Sequence, residues 1–220
     1  MIIAIEGIDG SGKNTQAKLL TEKLIKLGYE VELIGFPCYS DTFFGAEVGS
    51  YLNGKFGGLE EIHPKLVSLL YAGDRFEKKS YIENLLSQDV ILIIDRYVAS
   101  NVAHQGAKLP LESRGEFIEW AEKLEFEVYG LPMPTLNILL DIDVQSSSSL
   151  VLKKDTRDYT EKKRDLHEEN YSYLADVADM YRSLANQSNW YDLKCLENGK
   201  LRTVEDISNE VLNMVKPLLK

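Results

Sequence analysis

The sequence predicts an α/β fold, a three-layer sandwich with a central, mostly parallel five-stranded sheet flanked by helices. Three observations lead there. Short, almost wholly apolar runs recur along the chain, and stretches with apolar residues at helical spacing lie between them. Neither an internal repeat nor a Pro-rich or Gly/Ser-rich linker breaks the alternation. The 220 residues, 44% of them hydrophobic, are enough for one core, so a single domain spanning 1–220 is expected.

The first strand is the apolar run 1–5, bounded by Gly7. Ala17, Leu20, Leu24 and Leu27 then recur at helical spacing until Gly28 closes the helix, so the chain opens as strand, glycine loop, helix. A second strand is read over 29–34, ending at Gly35 and Pro37. A long helix over about 64–86 carries Leu66, Leu69, Leu70, Gly73, Phe76, Ile82, Leu85 and Leu86 as its apolar stripe. The wholly apolar run 90–94 and the run 137–143 give the third and fourth strands, and a short run near 190–196 the fifth. Further helices are expected at about 98–107, 111–129, 166–186 and 203–219. The segment 146–165 opens with four serines and then becomes dense in Lys, Arg, Asp and Thr, which predicts a solvated, mobile flap acting as a lid.

Lys plus Arg number 25 against 35 Asp plus Glu, a formal net charge of -10, which argues against nucleic acid or an anionic membrane as a partner held by bulk electrostatics. Any anionic ligand must be held by a local cluster. The two cysteines, Cys38 and Cys195, form neither a disulfide framework nor a metal pairing and suggest a reducing compartment. The aliphatic runs fall far short of the roughly 18 residues of a membrane span. Glu6 and Asp9 interrupt any signal-peptide pattern, so a cytoplasmic location is expected.

Residues 7–13 read GIDGSGK, the G-x-x-x-x-G-K core of a P-loop, placed between a buried strand and an amphipathic helix. The fold is thereby of P-loop NTPase type. Gly7, Ile8, Asp9, Gly10, Ser11, Gly12 and Lys13 would wrap backbone N–H groups around the phosphates of ATP, with Lys13 reaching the transferred phosphoryl group. A bare glycine-rich turn would not explain the strand and helix on either side. The position after the lysine, ordinarily a Ser or Thr ligating Mg2+, is Asn14, followed by Thr15. Magnesium would then be held by Asn14, by Thr15, or through water by a carboxylate such as Asp9.

No N-K-x-D signature occurs, so a GTPase recedes. Asp95 and Arg96 close the third strand, at the sheet edge where ligands of parallel sheets bind. On the helix after them, Asn101, His104 and Gln105 share one face, suited to reading a base edge. Tyr71 and Arg75 stand one turn apart and offer an aromatic platform beside a guanidinium. The competing account is a packed tyrosine and a surface Asp74–Arg75 ion pair. Lys153, Lys154, Arg157 and Arg164 are the lid cations available to the transition state, with Arg157 the one favoured.

Through GIDGSGKNTQ, GFPCY at 35–39, YAGDRF at 71–76 and DRYVASNVAHQGA at 95–107, the chain resembles the thymidylate kinase family over nearly its whole length. The resemblance implies transfer of the γ-phosphate of ATP to dTMP with Mg2+. By it Phe36 and Tyr71 flank or stack on thymine, Arg75 and Asn101 or Gln105 address its polar edges, and Arg96 clamps the acceptor phosphate. Tyr39, Ser100 and His104 complete the dTMP site. Asp9 sits near sugar and metal, and Asp165 and Glu168 match a carboxylate pair after the lid, with Glu168 the second metal ligand. The resemblance also implies a homodimer formed through helices flanking the sheet. Cys38 stands where relatives often carry a basic residue, and His104 where they usually have Tyr, which bears on discrimination against ribose. His104 as a plain structural histidine remains open. The other functional readings are a nucleotide-dependent binding switch and a P-loop kinase acting on another nucleotide.

Overall fold

A computed structural model of the chain describes residues 1–58, 61–151 and 171–219. Five strands, β1 (Ile2–Glu6), β2 (Val31–Gly35), β3 (Ile91–Asp95), β4 (Leu136–Asp141) and β5 (Trp190–Lys194), pair in the order β2-β3-β1-β4-β5. Every neighbouring pair is parallel. The inner strands β1, β3 and β4 are buried on both faces, which is why their sequences are continuous apolar runs. The edge strands β2 and β5 are half-buried.

Register aligns the carboxyl ends. Ile5 lies opposite Asp95, and Gly35 opposite the same residue, so the loops leaving β1, β2 and β3 emerge side by side. The chain runs out to β2, returns through β3, and then crosses to β4 on the other side of β1. The crevice at the end of β1 is therefore the switch point at which open α/β sheets take ligands.

The helices around the sheet are α1 (Lys13–Lys26), α2 (Phe43–Leu52), α3 (Pro64–Glu77), α4 (Lys79–Ser87), α5 (Val98–Gly106), α6 (Leu111–Glu122), α7 (Val144–Val151), α8 (Tyr171–Leu184) and α9 (Val204–Val215). The single helix expected over 64–86 is two. The backbone leaves helical geometry at Lys78, whose N–H turns back to the Arg75 carbonyl, and this lets α3 pack on α2 and α5 while α4 packs on β3. The helix expected over 111–129 ends in a π-helical turn, Lys123–Val128. Helix α2 is an addition to the sequence reading. Gly45 and Gly49 dilute its helical signal, yet Thr42 caps it by accepting from Gly45 N–H at 2.9 Å.

The flap expected from Ser146 begins as helix. Asp143 holds the N-terminus of α7, taking the Ser146 N–H at 2.8 Å and its hydroxyl at 2.7 Å. Beyond β5 the chain forms a small hairpin, β6 (Leu196–Glu197) with β7 (Lys200–Leu201), around Asn198-Gly199, both with positive φ.

Candidate active site

The loop after β1 needs its glycines. Gly7, Gly10 and Gly12 have φ of 141°, 81° and 92°, and a Cβ on Gly7 would lie 2.8 Å from the Leu140 carbonyl oxygen on the neighbouring strand. Lys13 opens α1, buried, with Nζ donating to the Ile8 carbonyl at 2.7 Å. Burial, and then the Arg96 guanidinium, push its pKa down to about 7, against the pull of Asp9, Asp95 and Glu6. An ammonium ready to lose its proton beside a helix N-terminus is a site short of negative charge. Asn14 and Thr15 are exposed on the first turn of α1, while Ser11 is buried inside the loop.

Arg96, one residue past β3, has φ 68°, a conformation that costs a non-glycine about 1–3 kcal/mol. The chain holds it there by the Arg96 N–H bond to the Ile5 carbonyl, and its guanidinium pairs with Asp9 across the crevice. Among the described residues Asp95 Oδ1, buried, has no hydrogen-bond partner. Beneath them Glu6 is fully buried and accepts from Tyr97 N–H at 2.8 Å, Ser100 Oγ at 2.6 Å and Tyr181 OH at 3.1 Å. Burial raises the Glu6 pKa, and the hydrogen bonds from Ser100 and Tyr97 oppose it. The Ser100 hydroxyl, expected at the acceptor nucleotide, bonds Glu6 beneath the crevice.

Between α3 and α5 lies the second half of the site. Arg75 is 1% exposed and grips Glu125 with two bonds, Nε to Oε2 at 2.5 Å and Nη2 to Oε1 at 2.6 Å. The alternative of a surface Asp74–Arg75 pair is excluded by burial. Asp74 instead accepts from Cys38 N–H at 3.0 Å and Thr42 Oγ1 at 2.5 Å, tying α3 to the loop after β2. That loop places Phe36 against the site, its ring 6.0 Å from the Arg75 guanidinium carbon and 6.3 Å from the Tyr97 ring. Tyr39 and Tyr71 are half-buried beside a small second core of Val48, Tyr51, Leu52 and Val67.

Asn101 Nδ2 donates to Glu125 Oε1 at 2.8 Å and to the Ser68 carbonyl at 3.2 Å. Gln105 is fully buried, and its Oε1 receives Lys108 Nζ at 2.6 Å. Lys108 also donates to Tyr51 OH at 2.6 Å, and burial pushes its pKa down to about 7.

His104 is neutral, its pKa pushed down to about 3 by burial, with Arg96, Lys13 and Lys108 adding to the effect and Asp9 opposing it. Tyr173 OH donates to the His104 carbonyl at 2.8 Å, so towards Nδ1, 3.2 Å away, it can only accept. Nδ1 therefore carries the ring hydrogen. The two halves of the site are joined by α5, which bonds Glu6 through Ser100 and Glu125 through Asn101.

Glu6, Glu125, Lys108, Tyr173 and Tyr181 are site residues that sequence reasoning missed. Two left a signal. Glu6 ends an otherwise apolar strand, and Glu125 continues the buried row Phe117, Ala121 at intervals of four. Lys153, Lys154, Arg157, Arg164, Asp165 and Glu168 lie outside the described residues.

A family model described as thymidylate kinase matches residues 5–207. A thymidylate kinase of Mycobacterium tuberculosis is 30% identical over 187 residues, 85% of this chain and 86% of its own. A probable thymidylate kinase of Thermococcus onnurineus is 34% identical over 98% of this chain and 97% of its own. A solved thymidylate kinase from Candida albicans shares the fold, with TM-score 0.76 at 24% identity over 99% of this chain and 91% of that one. Matched from its first strand into its last helix, with a phosphate loop at the switch point of a parallel sheet, the chain belongs to the thymidylate kinase family.

Proposed function

We propose that this chain transfers the γ-phosphate of ATP to dTMP, giving ADP and dTDP. Membership of the family supports the activity. The observation that carries it in the molecule is that one helix, α5, joins two unlike half-sites: Ser100 bonds Glu6 beneath the cradle around Lys13 and Arg96, and Asn101 and Gln105 stand buried beside Arg75 and its partner Glu125. A dTMP phosphate oxygen attacks the γ-phosphorus in line as the bond to the bridging oxygen breaks. The residues' work is to position and to neutralise charge. ATP phosphates rest on the loop N–H groups and restore the Lys13 charge. Arg96, which pairs with Asp9, turns to the acceptor phosphate. Phe36 and Tyr71 hold the base, and Asn101 and Gln105 meet its polar edge.

The donor set suits Mg2+. Among the described residues Asp95 Oδ1 is a buried hard oxygen with no hydrogen-bond partner, its carboxylate acting on Lys13, Asp9 pairs with Arg96 across the crevice, and Asn14 and Thr15 are exposed on the first turn of α1. Magnesium, when bound, supplies charge neutralisation on the transferring phosphate oxygens.

A coupled ADP-release assay across nucleoside monophosphates tests the reading. dTMP is expected to turn over fastest, with measurable dUMP activity because one methyl group is worth only about 1–3 kcal/mol of discrimination. Faster turnover with any other monophosphate, or ATP hydrolysis indifferent to dTMP, overturns it. The assembly belongs to the same proposal: a homodimer, supported by the exposed apolar side chains Phe43 on α2 and Leu66 and Phe76 on α3, which are 68%, 60% and 49% exposed. Among the described residues no helix is long and apolar enough to cross a membrane, and Cys38 and Cys195 are free thiols, which supports a cytoplasmic setting.

A further inference from the structure

Two amides on α5 have their orientation forced from behind. Asn101 Nδ2 gives its hydrogens to the Glu125 carboxylate and the Ser68 carbonyl, groups that only accept, so reversing the amide would set oxygen against oxygen. Gln105 Oε1 faces the Lys108 ammonium, which only donates, so that amide is fixed in the opposite sense. The consequence is a defined pattern. Among the described residues, Asn101 Oδ1, an acceptor, and Gln105 Nε2, a donor, are both buried and have no hydrogen-bond partner, and Ser68 Oγ at the α3–α5 seam has none either. Native chains leave few such groups unsatisfied, and a ligand that completes them recovers the hydrogen bonds they otherwise forgo.

We propose that Lys108 is a positioning residue for base selection: through Gln105 it holds a donor one helical turn from the Asn101 acceptor, so that the cleft takes an imide edge and refuses a cytosine edge. This role rests on the proposed dTMP activity. Thymine and uracil present an N3–H beside a carbonyl oxygen, matching Asn101 Oδ1 and Gln105 Nε2. Cytosine presents a bare N3 beside an amino group, so both contacts are opposed. Lys108 touches neither edge. It sits just beyond α5, braced by the Tyr51 hydroxyl at 2.6 Å and by the Tyr51 ring, whose centroid is 5.0 Å away. Without the ammonium, Gln105 can turn its amide over and present Oε1, which accepts the cytosine amino group.

The test compares kcat/KM for dTMP and 5-methyl-dCMP, which differ only at the base edge, at pH 6 where Lys108 is charged. Lys108→Met is expected to lower the dTMP to 5-methyl-dCMP ratio about five- to tenfold, the loss carried by KM for dTMP, and Lys108→Arg to restore it. Because Lys108 acts through Gln105, the ratio of the Lys108→Met/Gln105→Met pair is expected to equal that of Gln105→Met alone. Lys108→Gln, which keeps a polar reach without an enforced sense, is a second variant expected to lose part of the ratio should Lys108→Met fold poorly. A ratio unchanged in both, or effects that multiply in the double variant, overturns the role of Lys108. A wild-type protein with no preference for dTMP over 5-methyl-dCMP overturns the reading of the acceptor site itself.

Discussion

Lys13 bonds the Ile8 carbonyl at 2.7 Å, and burial together with Arg96 holds its pKa at about 7. Linkage then gives ATP binding a pH-dependent proton count. Below pH 7 the lysine is protonated with or without ligand, so ATP binding moves no proton at this group. Above pH 7 the empty form is largely neutral, and phosphates restore the proton. Titration calorimetry at pH 8, in buffers of different ionisation heat, should therefore show uptake approaching one proton per ATP at about that pH. The uptake should fade towards pH 6 and be absent in Lys13→Met. Uptake that is the same in that variant would remove Lys13 from the account. The same depressed value makes the unfolded chain the better proton binder above pH 7, so the cost of burying Lys13 shrinks as pH rises from there towards 10.5.

At the scale of elements, the π-helical turn Lys123–Val128 delivers Glu125 to Arg75 on α3, with Asn101 of α5 on the same carboxylate. Three elements meet on one buried charge pair. Such a pair contributes little net stability against an apolar replacement, yet removing one partner strands the other charge and costs about 3–5 kcal/mol. Glu125→Ala should lower the melting temperature by roughly 6–20 °C, taking about 2–4 °C per kcal/mol for a chain of this length. Arg75→Met/Glu125→Leu should recover most of that loss while abolishing tight dTMP binding. Calorimetric melting and a dTMP titration read both, and a double variant no more stable than Glu125→Ala would show that the pair is not acting as a unit.

The pair also shows where legibility ended. Arg75 was readable as a ligand candidate from its helical spacing to Tyr71. Its partner was not, because a carboxylate that continues a buried row signals its own burial but not what it will meet. The π-helical turn is equally silent, since its i to i+5 bond from Tyr129 N–H to the Leu124 carbonyl at 2.9 Å depends on packing rather than on residue type.

For the whole molecule, the sheet was legible because β1, β3 and β4 are buried on both faces and so read as apolar runs, and the phosphate loop because its strand, glycines and helix are contiguous. What joins Asp9 to Arg96 is the placement of β3 beside β1, and no local pattern encodes strand order. The same topology gives α3 two faces with different duties. Its inner face carries Ser68 and Arg75 to the seam with α5, while Leu66 and Phe76 are exposed, as is Phe43 of α2. Gly73 allows α2 to come this close, since a Cβ there would lie 2.7 Å from the Phe44 ring. In the homodimer we propose, a second copy covering the outer face would stiffen the helix that carries Tyr71 and Arg75, leaving the ATP cradle on β1 and α1 untouched. Leu66→Glu/Phe76→Glu should accordingly convert a dimer to a monomer in sedimentation velocity, raise KM for dTMP several-fold and leave KM for ATP as it was. A wild-type chain that sediments as a monomer at micromolar concentration would remove the dimer. Equal losses for both substrates would mean that the outer face supports the fold as a whole rather than the acceptor cleft in particular.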